Sequence, residues 1–246
     1  MKKNLFILIC FIIFLFPNCA FSAPNYTYST PSTYDYSKNA DVDDVNEKIL
    51  FIVDFSNSMN ERLGSQSKLN IALSTMQEIL QMLPKTASVG LRVYGHRTGF
   101  TPRQSCSASQ LVSPISQNNA VNIYTTLKSI NAVGWTPITY SLKQATFFDF
   151  GDFQGKKRIV LISDGGENCD ESPCDFVIEL MKHRDDISID VIALAVGDND
   201  SNNQLKCVAL VTSGKFYNAN TAAALKDSLQ DSLKLQKDVQ GVILNK

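Results

Sequence analysis

Beyond residue 16 the chain has no apolar run long enough to cross a bilayer, so no membrane span is expected after the N-terminus. Neither sign of charge dominates, with 23 Lys and Arg against 24 Asp and Glu. Setting aside residues 1–22, which carry Lys2 and Lys3 and no acid, leaves 21 basic and 24 acidic residues, a net of −3. So weak a balance gives no electrostatic reason to expect nucleic acid or an anionic membrane as a partner. Histidine is scarce. His183 falls near a helix end and reads as a surface or capping residue, while His96 sits on a loop and is a lesser candidate for lining a site. Neither is placed by sequence beside a nucleophile, and no Gly-x-Ser-x-Gly segment is present. Internal repeats and a second domain are also missing, although 44% hydrophobic residues suffice for a sizeable core.

The apolar run that does occur lies at the start. Lys2 and Lys3 precede Leu5–Phe16, Pro17 breaks the run, and Ala20 and Ser22 are the small residues of a cleavage site. Residues 1–22 therefore read as a secretory signal peptide, with an uncleaved anchor as the alternative. Pro17 and Asn18 before Cys19 are wrong for lipoprotein processing. The protein is expected to be periplasmic or secreted. Residues 23–47, rich in Pro, Ser, Thr, Asn and Tyr, read as a flexible linker. Export implies an oxidising compartment, where Cys106, Cys169, Cys174 and Cys207 are disulfide candidates. Four cysteines allow three pairings, and the sequence does not choose among them. A zinc site is the weaker rival, because Cys169 and Cys174 are five apart and no second Cys or His pair accompanies them.

From residue 48 apolar strands and amphipathic helices alternate. Ile49–Val53 is a short, β-branched and aromatic run, the signature of a strand buried on both faces of a parallel sheet. Lys68–Leu83 carries Leu69, Ala72, Leu73, Met76, Ile79, Leu80 and Leu83 at three-and-four spacing, a helix that Pro84 stops. Val89–Tyr94 is the next strand. Leu111-Val112 is a short one that Pro114 confines to an edge. Helices follow from Asn119 and from Ile138, the latter with Ile138, Leu142, Ala145 and Phe148 inward and Asp149 near its end. Arg158–Ser163 is a strand. Ser172-Pro173 opens a helix to about His183. A strand over Ile187–Val196, a helix over Asn203–Thr212, a short strand over Lys215–Asn218 and a helix from Thr221 to about Gln240 complete the series. The fold class is α/β: a doubly wound, mostly parallel central sheet flanked by helices, with one short antiparallel edge strand, over roughly 48–240. Residues 241–246 are a tail.

Oxygen donors gather where the strands end. Asp54, Ser56 and Ser58 follow the first strand, Thr136 precedes a helix, and Asp164 ends the strand over Arg158–Ser163. Each has an ordinary role as a turn or cap residue, but all fall at the sheet edge where open α/β folds bind ligands. Small hard oxygens suit Mg²⁺ foremost, with Mn²⁺ and Ca²⁺ as alternatives. Asp198-x-Asp200-x-Asn202 is no EF-hand, because Asn203 and Ala209 stand where Gly and Glu are needed.

Three separated motifs, Asp54-x-Ser56-x-Ser58, Gly134-Trp135-Thr136-Pro137 and Ser163-Asp164-Gly165, occur in the order found in one family. The chain resembles a von Willebrand factor type A (vWA) domain with a metal-ion-dependent adhesion site (MIDAS). It is also similar to a group of exported bacterial members with a Leu91–Arg97 stretch, a Cys169/Cys174 pair and a helix cysteine at Cys207. The resemblance implies a Rossmann-like sheet and a divalent cation held by Ser56, Ser58 and Thr136, with Asp54 and Asp164 acting partly through water. It also implies one coordination position left for an Asp or Glu of a partner protein. That is a binding module, adhesive or scaffolding, and not an enzyme. The alternative is a metal-assisted hydrolase or phosphatase using Asp54, weakened by the lack of a second acid two residues on.

Overall fold

In the computed structural model, residues 47–235 are described; the expected signal peptide, nearly all of the linker and the end of the last helix lie outside them. In chain order the elements are β1 (Lys48–Asp54), a 3-10 turn (Asn57–Asn60), β2 (Arg62–Leu63), β3 (Gln66–Ser67) and α1 (Lys68–Met82). Next come β4 (Ser88–Tyr94), α2 (Pro102–Ser105), β5 (Ser109–Ser116), α3 (Ala120–Leu127) and α4 (Ile138–Gln144). A π turn (Ala145–Asp149) continues α4. Last are β6 (Lys157–Ser163), α5 (Pro173–Leu180), β7 (Ile187–Leu194), α6 (Asn199–Val211), β8 (Phe216–Ala219) and α7 (Ala222–Ser232).

The main sheet runs β5-β4-β1-β6-β7-β8, parallel except where β5 pairs antiparallel with β4. Both faces of its central strands are apolar. Successive side chains of a strand point to opposite faces, so Ile49, Phe51 and Val53 enter one core with Val160 and Ile162, under α1, α3 and α7. Leu50 and Ile52 enter the other with Ile159 and Leu161, under α4, α5 and α6. Burying each such side chain contributes about 1.5–3 kcal/mol. The chain lays β4 and β5 on one side of β1 and then returns to lay β6 on the other. The carboxyl ends of β1 and β6 therefore flank the point where the winding reverses, the usual position of a ligand crevice.

The expected elements are present, with local corrections. β5 is an edge strand as Pro114 requires, but it has eight residues and bulges where it pairs with β4. α5 ends at Leu180, followed by a turn through His183. α6 begins at Asn199, capped by the Asp198 carboxylate on Ser201 N, so the Asp198–Asn202 stretch is a helix start. Phe148 is not an inner residue. The π turn adds a residue to the coil, so the 3.6-residue period fails beyond Ala145. Phe148 is turned to solvent, 59% exposed, and the Asp149 carboxylate turns inward onto Arg92 instead.

Two disulfides join Cys106 to Cys169 and Cys174 to Cys207. This removes the zinc alternative for those cysteines. Among the described residues no cluster of three or more His, Cys, Asp or Glu is arranged to hold a metal.

Candidate metal centre

β1 ends at Asp54, and the backbone after it keeps its extended path. Phe55 N donates to Tyr94 O at 2.8 Å, Asn57 N donates to Gly134 O at 2.9 Å, and Ser56 forms a parallel bridge with Gly134. The loop carrying Thr136 is thus laid beside the Asp54–Ser58 segment as if it were one more strand. Two glycines permit this. Gly95 has φ +70°, and a Cβ there would meet Ser56 N at 2.5 Å; one on Gly134 would meet Arg97 O at 2.5 Å. Three loops therefore approach backbone to backbone. The 3-10 turn then presents Ser58, anchored by the buried Met59.

The hydroxyls and carboxylates form one network. Ser58 Oγ donates to Asp164 Oδ1 at 2.7 Å, so the 3.0 Å contact between Ser56 Oγ and Ser58 Oγ has Ser56 as donor. Asp54 Oδ1 accepts from Ser56 N at 2.6 Å. Asp54 Oδ2 lies 2.8 Å from Ser163 Oγ and 3.0 Å from Tyr94 Oη, and those two hydroxyls are 2.9 Å apart. Asp54 has no exposure and Asp164 is 6% exposed. Thr136 is held separately, through its backbone: its N donates to Asn168 Oδ1 at 2.7 Å, and Glu167 Oε2 accepts from Thr139 N at 2.6 Å just beyond. Asn168 and Glu167 immediately precede Cys169, so the Cys106–Cys169 bond pins the segment that holds the Thr136 loop. His96, the lesser candidate, has burial holding its imidazole below the usual histidine range, with Arg97 adding to the effect, and no hydrogen bond to the five candidate residues is seen.

Of the five residues expected from sequence, Asp54, Ser56, Ser58 and Asp164 are linked by hydrogen bonds, and Thr136 lies two residues beyond Gly134 on the loop that bridges to Ser56. The structure adds Lys68, Tyr94, Ser163, Glu167 and Asn168. Ser163 and Tyr94 sit at strand ends in register with the site, Tyr94 opposite Asp54 itself, a placement that strand pairing alone supplies. Lys68 opens α1; a polar residue before an amphipathic helix carries no sign in sequence of reaching Asp164.

Burial raises Asp54 to a pKa of about 6, and the neighbouring Asp164 carboxylate adds to this against the hydrogen bonds from Ser56 and Ser163. A buried carboxylate that resists ionisation beside a second one is a place where a cation would relieve the charge. The donors are hydroxyl and carboxylate oxygens, which fit a hard divalent ion. A pH dependence follows. An acid whose folded pKa lies above its unfolded value of 3.8 binds its proton more tightly when folded, so its contribution to stability is present below pH 4 and is lost as pH rises through about 6. In EDTA, acidification from pH 7 to 4 is expected to raise this group's contribution by about 2 kcal/mol, at 1.36 kcal/mol per pKa unit. Urea unfolding of wild type against Asp54→Asn across that range measures it; parallel profiles for the two proteins would contradict it.

The comparisons with known proteins agree with this fold. The model of the von Willebrand factor type A domain family matches residues 48–231. The protein YwmC of Bacillus subtilis (strain 168) is 31% identical over 194 residues, covering 77% of this chain and 84% of YwmC. Among solved structures, proximal thread matrix protein 1 from the mussel byssus, determined with a zinc-occupied MIDAS motif, aligns over 78% of this chain and 46% of its own, with TM-score 0.59 and 18% identity. The pilus adhesin SpaC from Lactobacillus rhamnosus GG aligns over 78% of this chain and 30% of its own, with TM-score 0.61 and 14% identity. This chain thus spans less than half of either structure, and at these identities the likeness is one of fold. With its family model matching three quarters of its length, the chain belongs to the von Willebrand factor type A family.

Proposed function

We propose that the domain binds a divalent cation through Asp54, Ser56, Ser58, Thr136 and Asp164 and uses it to hold an Asp or Glu side chain of a partner protein. The observation that carries this reading is the buried hydroxyl–carboxylate cluster at the reversal point of the sheet, with two neighbouring acids at its centre whose ionisation burial opposes and a cation would favour. Asp54 and Asp164 supply the negative charge. Ser56 and Ser58 supply neutral oxygens, and Thr136 a further hydroxyl on a loop held in register by Gly134. The cation would supply a positive centre with room for one outside oxygen. Mg²⁺ is the first expectation, then Mn²⁺ and Ca²⁺. The zinc seen in the mussel protein adds Zn²⁺ to the ions to be tried.

An interaction module fits better than a hydrolase. Both oxygens of Asp54 already accept hydrogen bonds, from Ser56 N and from Ser163 and Tyr94, and the side chain has no exposure, so an organic substrate has no open approach to it as a nucleophile. The adhesin among the structural neighbours supports the same direction. Export through the residue 1–22 signal and a role outside the cytoplasm accord with the two disulfides. No helix among the described residues is long and apolar enough to cross a membrane.

Thermal unfolding in EDTA, Mg²⁺, Mn²⁺, Ca²⁺ and Zn²⁺ tests the proposal. An ion at 100 times its dissociation constant adds about 2.7 kcal/mol, which for a domain of this size is about 5–10 °C. The shift is expected in wild type and lost in Asp54→Ala. Equal melting in chelator and in every ion would remove the metal from the account.

A further inference from the structure

One cation is already built into the cluster. Lys68 is the first residue of α1 and is only 8% exposed. The β2–β3 hairpin returns the chain so that Lys68 N donates to Glu61 O at 2.9 Å. Its Nζ lies 3.0 Å from Asp164 Oδ2 and 2.8 Å from Glu61 Oε2. Both oxygens of Asp164 are then engaged, Oδ1 by Ser58 and Oδ2 by the ammonium. Glu61 differs from Asp164 in being two-thirds exposed, so water screens its half of the arrangement while the half directed at the site is buried.

Building on the cation site proposed above, we propose that Lys68 is a fixed counter-charge that sets the affinity and reactivity of that site. Asp54 and Asp164 together carry two negative charges, and Lys68 cancels one. A divalent ion entering such a site stays under-neutralised by one charge, and that surplus is what an incoming carboxylate satisfies. Were Lys68 neutral, the two acids alone would balance the ion, which would bind more tightly and draw an outside anion less. The ammonium is held by carboxylates on two sides and its side chain is largely buried, so it stays beside the site as a standing charge. Lys68 thus trades retention of the metal for grip on the partner.

Titration with Mn²⁺ alone, following the free ion by electron paramagnetic resonance, tests this in wild type, Lys68→Met, Lys68→Gln, Lys68→Arg and Asp54→Ala. Removing a unit positive charge from beside the site is expected to tighten Mn²⁺ by about tenfold or more in both neutral variants. Lys68→Arg, which keeps the charge, is expected to stay near wild type. Lys68→Gln can still donate a hydrogen bond toward Asp164 and stands in if Lys68→Met does not fold. Neutral variants that bind Mn²⁺ no more tightly than wild type, while wild type binds it and Asp54→Ala does not, would overturn the role of Lys68 and leave the metal site standing. Wild type and Asp54→Ala that fail alike to bind Mn²⁺ would overturn both readings.

Discussion

Opening the Cys106–Cys169 bond, by Cys106→Ser with Cys169→Ser, is expected to cost the domain about 4 kcal/mol and to weaken metal binding as well. The chain-entropy model gives about that figure for a closed loop of some 60 residues, and this bond has a sequence separation of 63. The second effect is local. Asn168 and Glu167 hold the backbone of Thr136 and Thr139 from a segment whose anchor is Cys169. Released from Cys106, that segment gains freedom, and the Thr136 hydroxyl is no longer presented in one place. The other bond, Cys174–Cys207, joins α5 to α6 with a sequence separation of 33. Removing it is expected to cost about as much stability, since loop length enters only logarithmically. It should leave Mn²⁺ affinity in the folded protein unchanged. Chemical unfolding and Mn²⁺ titration of the two double variants separate these outcomes. Equal loss of affinity in both would show that the cross-links act only through global stability.

Arg92→Met is expected to be the most damaging single substitution away from the site, at about 3–5 kcal/mol. Arg92 lies on β4 and forms a fork with Asp149, Nε to Oδ2 at 2.6 Å and Nη2 to Oδ1 at 2.7 Å, while Nη1 reaches Ser109 Oγ at 2.9 Å. The two side chains are 5% and 4% exposed. Methionine fills much of the volume but strands a buried carboxylate with no cation. A second substitution, Asp149→Leu, removes that stranded charge and is expected to recover much of the loss. If the double variant is no more stable than Arg92→Met, then the fork itself stabilises the fold and desolvation of the lone acid is not the main cost. Denaturant unfolding of wild type, Arg92→Met, Asp149→Leu and the double variant forms the cycle.

That ion pair also marks where reading the sequence stops. The strands over β1, β4, β6 and β7 are legible because both faces of the sheet are covered, so the apolar runs are continuous. Helix α1 is legible because its buried stripe repeats without interruption. Asp54, Ser56, Ser58 and Asp164 are legible as neighbours because they follow the ends of the adjacent strands β1 and β6, whereas Thr136, on a loop before α4, is singled out by its motif alone. Asp149 is not, because a π turn breaks the period that would assign its face, and nothing in Ala145–Asp149 announces the extra residue. The cysteine pairing depends on loop paths that local preferences leave open. Lys68 depends on a hairpin of two-residue strands, too short to leave a periodic trace. What escapes the sequence is therefore the set of long-range polar contacts around the site. Hydrophobic spacing carries no information about those.

The separation of the site residues along the chain has a consequence for the order of folding. Ser58 and Asp164, hydrogen-bonded to each other, are 106 positions apart, and Thr136 arrives on a loop between them. Only when β6 has docked beside β1, across the intervening β4 and β5, do the donors share a space. Pairings of such range are made late, after much loop-closure entropy has been lost. A cation would therefore find its ligands on the native side of the rate-limiting barrier. It would lengthen the lifetime of the folded domain without hastening its formation, and a domain stripped of metal would reach the same native state at the same speed but leave it sooner.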